Sequence, residues 1–464
     1  MTQKAQLSNT FLCNTSKLML SLEWVWIAIM LLSYWHISPP IRDNYVFILI
    51  FSIPIYLARF VIHRRIFTRT PLDLFLLIFV ILTVYNFHNA PLARANYWVL
   101  VCRPLMGIFI IYYFVEHARI HGHTRYLIAV TVCLTTLIGV IALLSSQWTI
   151  STKSDDFAFI INLLPKLDHK SVLPDMQLSF NPNEIAGALA YCCPFLLSIS
   201  LWRFRQEPDT PSSRLDVVVH VIERYVAPVG FVIAFSALFL GQSRFALAGT
   251  FVGLFIVLLV ILPDWRKRAV GVSIWSVFVL LEIALVLNIL PLDLSPPPSN
   301  PDETVTTNTT GLNERDNRTL VARLDLWDRA IQMVIDYPDT GAGMSVYRAM
   351  VTRDEYAIPL YVEQDKRPPH AHNAFLQMGA DLGVMGFVLF IGWYGIVVWM
   401  VVYCFRHSNL NSKIMSVAVA GSILSYMGYG IGDTITLWDR FAFMHWWFIA
   451  LMAAIYITVR LDNK

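Results

Sequence analysis

Two imidazoles and an amide crowd into HAHNAFLQMGADLGVMGF, the run from His370 to Phe387. Histidine titrates near neutral pH, so His372 at a water-accessible mouth could take the proton of a hydroxyl group as a general base. His370 and Asn373 would then orient that base or bind substrate hydroxyls. A His-x-His pair is more often a solvated loop feature than a catalytic one, so spacing alone does not decide. No third His or Cys follows at ligand spacing, and only Glu363 and Asp365 lie close upstream, in a loop polar enough to solvate both carboxylates. The expectation is therefore no metal and no other cofactor.

Arginine supplies a second set of residues with chemical potential. Arg244 lies in GQSRFALAG, between two apolar runs, and Arg323 lies in ARLDLWDRAIQMVIDYPDTGAG. A guanidinium at a membrane boundary is costly unless solvated, paired or bound to an anion, and its planar fork matches phosphate oxygens at two points. Snorkelling to the interface would serve Arg244, and a flanking position on an amphipathic helix would serve Arg323, without any ligand. Arg103 sits about six residues, or about 9 Å, into an apolar run, where a buried cation wants a carboxylate or a ligand. Glu184 and Asp433 are candidate partners for it, which would make a structural ion pair. The segment NPNEIAG, from Asn181 to Gly187, offers two amides and a carboxylate, although Asn and Pro also make turns and helix starts. Asn181 and Asn183, with Gln242 and Ser243 beside Arg244, complete the candidates for binding or orienting substrate.

The elements that must position these residues are membrane spans. The chain of 464 residues is 56% hydrophobic and only 14% charged, far from the soluble norm. Its net charge of +3, from 35 basic and 32 acidic residues, gives no support to a nucleic-acid partner. A hydrocarbon core of about 30 Å needs about 20 apolar helical residues, and about twelve such runs are present. They fall at 18–37, 45–62, 71–88, 97–115, 126–146, 183–202, 225–240, 245–262, 270–290, 384–405, 411–431 and 440–460. The first run lacks a small-residue cleavage site and reads as a retained span. With the N-terminus inside, the turns holding Lys17, Arg64, Arg65, Arg69, Arg119, Arg125, Arg203, Arg214, Arg266, Lys267, Arg268, Arg406, Lys413 and Arg460 all face the cytoplasm. The opposite short turns, 38–44, 89–96 and 432–439, carry only Arg42 and Arg94.

The expected division is a cytoplasmic arm at 1–17, spans one to nine at 18–290 with an exterior loop at 147–182, and a long exterior loop at 291–372. A short exterior helix and spans ten to twelve then occupy 373–464, with a cytoplasmic C-terminus. The fold class is all-α, a polytopic membrane protein whose long loop contains amphipathic helices. That loop opens with a Pro, Ser, Thr and Asn-rich stretch that cannot bury enough apolar surface to order itself. Leu320, Leu324, Trp327, Ile331 and Val334 then recur at helical spacing, an apolar stripe that should lie on the membrane or the bundle, with Pro338 and Gly341 ending the helix. The six cysteines form no spaced framework.

NPNEIAG, GQSRFALAG, the loop-helix run and HAHNAFLQMGADLGVMG together resemble, in order and in sidedness, the O-antigen ligase family and its relatives the O-antigen polymerases. The resemblance runs from about Asn181 to Gly386. His372, ten residues and Gly383 look like the ligase His-x10-Gly motif, and Arg323 looks like the arginine of its Arg-x3-Leu motif, with Trp327 in place of the leucine. The resemblance implies a GT-C type glycosyltransferase of the bacterial inner membrane. It would take a glycan from undecaprenyl diphosphate on the periplasmic side and transfer it to lipid A-core, without nucleotide or metal. His372 would be the catalytic base, Arg244, Arg323 and Arg103 the diphosphate ligands, and the long loop a roof over the site. A polymerase would use the same donor with a different acceptor; the absence of an Arg-x10-Gly pattern in the exterior loops favours the ligase. A protein O-oligosaccharyltransferase is a third relative. From another class, a proton-coupled transporter would run a relay through Arg103, Glu184, Glu282 and Asp433, but it should gather its polar groups near the midplane rather than at one mouth.

Overall fold

The computed structural model describes residues 13–35, 45–90, 98–146, 148, 163–164, 180–205, 213–262, 264–286, 314–358 and 368–463. The described chain is helical. Helices α1 (Cys13–Ser21) and α2 (Glu23–Trp35) form a pair bent by 43°. They are followed by α3 (Tyr45–His63), α4 (Asp73–Asn89), α5 (Trp98–His121), α6 (Arg125–Ser145) and α7 (Pro182–Arg205). Next come α8 (Arg214–Gly241), which contains one π turn, α9 (Arg244–Ile261) and α10 (Trp265–Val286). Helix α11 (Glu314–Asp336) precedes α12 (Ala374–His407), α13 (Leu410–Gly432) and α14 (Ala442–Asp462).

Every apolar run expected to span the membrane falls on one of these helices. Among the described residues nine helices are long and apolar enough to cross a bilayer, or ten if the bent pair counts as one span. The difference from about twelve lies in α4, which has 17 residues, and in α10, only part of which is among the described residues. The chain is thus an all-α polytopic membrane protein.

Helix α14 is the axis of the bundle. Its whole span is buried by protein, and Trp446 and Trp447 pack against Trp393 of α12 and Phe114 of α5. Helices α9 and α13 approach at Gly249 and Gly428, where a Cβ on Gly249 would run into the backbone of Ser425 and Tyr429. Outer faces keep large apolar side chains uncovered, such as Leu74 and Leu77 on α4 and Val398 and Trp399 on α12, as a lipid-facing surface requires.

The segment around α11 has its own small core. Leu326, Ala330 and Met333 of α11 pack with Val346, Tyr347, Met350 and Tyr356 and with Ala371 and Ala380. On α11 Leu324 and Ile331 of the expected stripe are uncovered by protein, while Ala322, Leu326, Ala330 and Met333 are covered and Val334 lies against Gly379 of α12. The Pro and Asn-rich stretch before residue 314, and Glu363 with Asp365, lie outside the described residues.

The contacts sort the turns into two ends. The α2, α5 and α13–α14 ends meet through Tyr34, Arg103 and Trp438, and the α7 start meets the same turn through Glu184 and Arg440. The basic turns gather at the other end, where Arg59, Arg119, Arg125 and Arg203 each meet a carboxylate.

Candidate active site

Helix α12 starts where Asn373 adopts extended backbone and its Oδ1 accepts hydrogen bonds from the amides of Phe375 and Leu376, both at 3.0 Å. Its Nδ2 donates to the Ile431 carbonyl at the end of α13, also at 3.0 Å. Asn373, expected to touch a sugar or orient the base, therefore works through the backbone: it fixes α12 against α13 one residue after His372.

His372 itself has φ of 50°, a left-handed conformation that a residue with a Cβ holds only when its surroundings enforce it. They do so from three sides. Its amide donates to His370 Nδ1 at 3.3 Å, its carbonyl accepts from Trp327 Nε1 at 3.3 Å, and its Nδ1 lies 2.9 Å from Asp433 Oδ1. Trp327 thus has a task that the family's leucine could not perform, since a leucine has no N–H to offer. One residue upstream of His372, the Ala371 amide donates to Gln377 Oε1 at 2.7 Å, and Gln377 Nε2 donates to Asp381 at 2.6 Å.

Below this turn α12 breaks at Gly383, with φ of 71° and ψ of −168°, a backbone state essentially reserved for glycine. The break lets the Ala342 amide donate to the Ala380 carbonyl at 2.7 Å and the Val384 amide to the Pro338 carbonyl at 2.9 Å. Asn86 of α4 adds donations to the Asp381 and Thr340 carbonyls. The glycine ten residues beyond His372 is thereby the seat on which the segment after α11 docks.

The electrostatics separate the two histidines. Burial alone would raise the Asp433 carboxyl, but attraction to His372, the hydrogen bond from it, His370 and the Thr434 amide outweigh burial and hold it below the usual carboxylate value. An ionised Asp433 only accepts, so the proton of neutral His372 sits on Nδ1 and Nε2 is left as the acceptor. Burial, and then its neighbour His372, push His370 down to about 3, so it stays neutral at working pH and cannot serve as the base. With Nδ1 accepting, His370 keeps its proton on Nε2 as a donor. One ligand atom from each of His370, His372 and Asp433 lies within 4.8 Å of the others, so among the described residues these three could hold a metal.

The arginines are reached through a chain of contacts. Arg323, one turn before Trp327 on α11, stacks over the Phe245 ring at 4.9 Å. Phe245 follows Arg244 and lies flat on Gly432, where a Cβ would strike its ring, and Asp433 is the next residue. Arg244, Arg323 and His372 thus border one region. Gln242 closes α8 in a left-handed conformation, φ 47° and ψ 31°, and Ser243 caps the start of α9 by backbone geometry. Gly241 packs on Pro182, which sets this turn against the start of α7. There Asn181 Oδ1 accepts the Asn183 amide at 2.9 Å, a helix-start role, and Asn183 is exposed.

Arg103, expected at the diphosphate, instead donates to the Trp438 carbonyl at 2.5 Å and the Tyr34 carbonyl at 2.9 Å. Its suggested partners are engaged elsewhere: Asp433 by His372, and Glu184 by both arms of Arg440 at 2.6 and 2.5 Å. Arg103 and Arg440 hold the buried turn 433–441 in place, and Arg440 also stacks over Phe180 at 4.7 Å. The link from Asp433 to His372 spans 61 residues and has no local signal beyond a lone carboxylate at the end of an apolar run. Asn86, Gln377 and Trp327 were equally open to notice as polar or indole groups within apolar stretches.

A histidine, a carboxylate and two arginines thus border one region of a multi-pass helical bundle. Residues 229–391 match the family model described as O-antigen ligase. The match holds Arg244, Arg323, His370, His372 and Gly383, and leaves Asp433, Arg103 and the Asn181 segment outside it. None of the curated proteins compared matches the chain.

Proposed function

We propose that this protein is an O-antigen ligase of the bacterial inner membrane, transferring a glycan from undecaprenyl diphosphate to lipid A-core at a mouth that faces the periplasm. The observation that carries this reading is the 2.9 Å contact of His372 Nδ1 with Asp433 Oδ1 beside the Arg323–Phe245 stack. His372 Nε2 takes the proton of an acceptor sugar hydroxyl as its oxygen attacks the anomeric carbon. The bond from that carbon to the diphosphate breaks on the opposite face, so the configuration inverts. Asp433 stabilises the imidazolium that forms, as a carboxylate does in other histidine dyads. Arg244 and Arg323 offset the charge gathering on the departing diphosphate. His370, neutral and with an N–H to give, binds a substrate hydroxyl. The sidedness rests on the basic turns, all of which lie at the end away from His372.

In this reading no metal takes part: transfer persists in excess EDTA and tolerates Glu363→Ala with Asp365→Ala. The deciding experiment incubates the purified protein with lipid-linked glycan and lipid A-core. A joined lipid A-core glycan is the expected product; lengthening of the lipid-linked glycan alone would make the protein a polymerase, and no product with either acceptor would remove the reading.

A further inference from the structure

The end of the bundle away from His372 holds a cavity of about 320 Å³ walled by four arginines, Arg65, Arg69, Arg119 and Arg460. They come from three places in the chain: the α3–α4 turn, the end of α5 and the end of α14. Four like charges around one space repel each other unless an anion joins them. Of the nearby carboxylates, Glu116 accepts from Arg119 Nε at 2.8 Å and so offsets one of the four charges, while Asp73 accepts from Tyr112 at 2.9 Å and from Thr70. Among the described residues Arg65, Arg69 and Arg460 form no ion pair. Two polar atoms on residues lining the cavity, Arg119 Nη2 and Thr68 Oγ1, are buried without a hydrogen-bond partner. Unmet buried donors are rare in folded proteins and mark the place of a missing acceptor.

The rest of the wall is apolar. Phe67 and Leu461 are 48% and 41% exposed there, with Ile457 behind them. A free anion has no use for such a wall, whereas a lipid has. We propose that this cavity binds the phosphate of an anionic phospholipid headgroup, its oxygens taking the Arg119 and Thr68 donors and its chains lying along Phe67 and Leu461. The lipid belongs to the leaflet opposite the transfer mouth, and it ties the α3–α4 turn to the ends of α5 and α14.

The test uses the purified full chain in detergent, with phosphatidylglycerol, phosphatidylcholine or inorganic phosphate added. Bound lipid is counted by native mass spectrometry and the thermal midpoint is followed alongside. Phosphatidylglycerol should bind and raise the midpoint, while the other two should not. At about 1 kcal/mol per arginine, Arg65→Gln with Arg69→Gln should weaken its binding roughly 20- to 30-fold. Both side chains are exposed, so the fold should survive; Arg460→Gln, also exposed, is the second variant and should weaken binding roughly fivefold. Equal binding of phosphatidylcholine, unchanged affinity in both variants, or saturation of the effect by inorganic phosphate would each overturn the lipid site.

Discussion

The two ends of this bundle treat buried charge in opposite ways. At the basic end four carboxylates face an arginine: Glu23 with Arg59 at 2.7 Å, Glu116 with Arg119 at 2.8 Å, Asp216 with Arg125 at 3.0 Å, and Glu223 with Arg203. At the mouth the carboxylate at the end of α13 faces a histidine, and Arg323 faces an aromatic ring. An arginine-carboxylate pair has one protonation state at any working pH, so it can hold helices together but cannot move a proton. A histidine-carboxylate pair has two states within reach of neutral pH. The mouth also contains one arginine-carboxylate pair, Arg440 with Glu184, and its position explains it, because it secures the turn that carries Asp433.

If the contrast is between a proton-transfer site and a set of clamps, the largest effect belongs to the proton acceptor. His372→Ala should lower transfer by roughly 10² to 10⁴, the usual cost of losing a general base, with folded protein retained. His370→Ala should cost less, since a neutral hydrogen-bond donor is all that is lost. Near-normal transfer by folded His372→Ala protein, measured under single-turnover conditions, would place the chemistry elsewhere.

The arginines of the mouth sharpen the same contrast. Two-point phosphate contacts depend on the planar fork, so Arg244→Lys and Arg323→Lys should be nearly as damaging as alanine although charge is kept. Rescue of transfer by lysine at both positions would reduce them to a general positive field.

At the other end the expected damage is to stability alone. Glu223→Ala removes the carboxylate that Arg203 faces, and breaking a buried pair costs about 3–5 kcal/mol. The thermal midpoint in detergent should fall, while transfer per folded molecule stays at the wild-type level. A drop in transfer per folded molecule would mean that this end takes part in the reaction.

The smallest effect concerns pH. Burial, then the charge of Glu184, push the Asp439 carboxyl from 3.8 up to about 6, against the Thr436 bonds and Arg103. Because the folded protein holds this proton more tightly than the unfolded chain, its contribution is present below about 4 and is lost as pH rises through about 6. The thermal midpoint should therefore decline across that window, and Asp439→Asn should flatten the decline. An unaltered slope in the variant would assign the titration to another group.

Much of this was legible in the sequence, for reasons that can be named. Apolar runs long enough to span a bilayer are a strong signal, so the all-α membrane class and the positions of the helices followed directly. His372, Arg244 and Arg323 stood out because charged or titratable groups beside such runs are costly unless they have a task. The partners were less legible. Asp433 reaches His372 only because the start of α12 lies beside the end of α13, and nothing within either helix specifies that pairing. The surroundings of Arg103 were hidden for the same reason: its bonds to the Trp438 and Tyr34 carbonyls leave no trace in the side-chain pattern. On α11 the expected stripe leaves Leu324 and Ile331 uncovered by protein, the position a membrane-facing side would take, while Leu326, Ala330 and Met333 form a second, buried face.

The claim that the mouth is the transfer site, and the other end a set of clamps and lipid contacts, is open to one direct measurement. A lipid-linked diphosphate glycan bearing a photoreactive group beside the phosphates can be incubated with the purified protein, irradiated, and its attachment points mapped by peptide mass spectrometry. The label should fall on the peptides holding Arg244 with Phe245 and Arg323 with Trp327, and an unlabelled donor should compete it away. Competable labelling around Arg119, Arg125 and Arg203 instead would contradict the account.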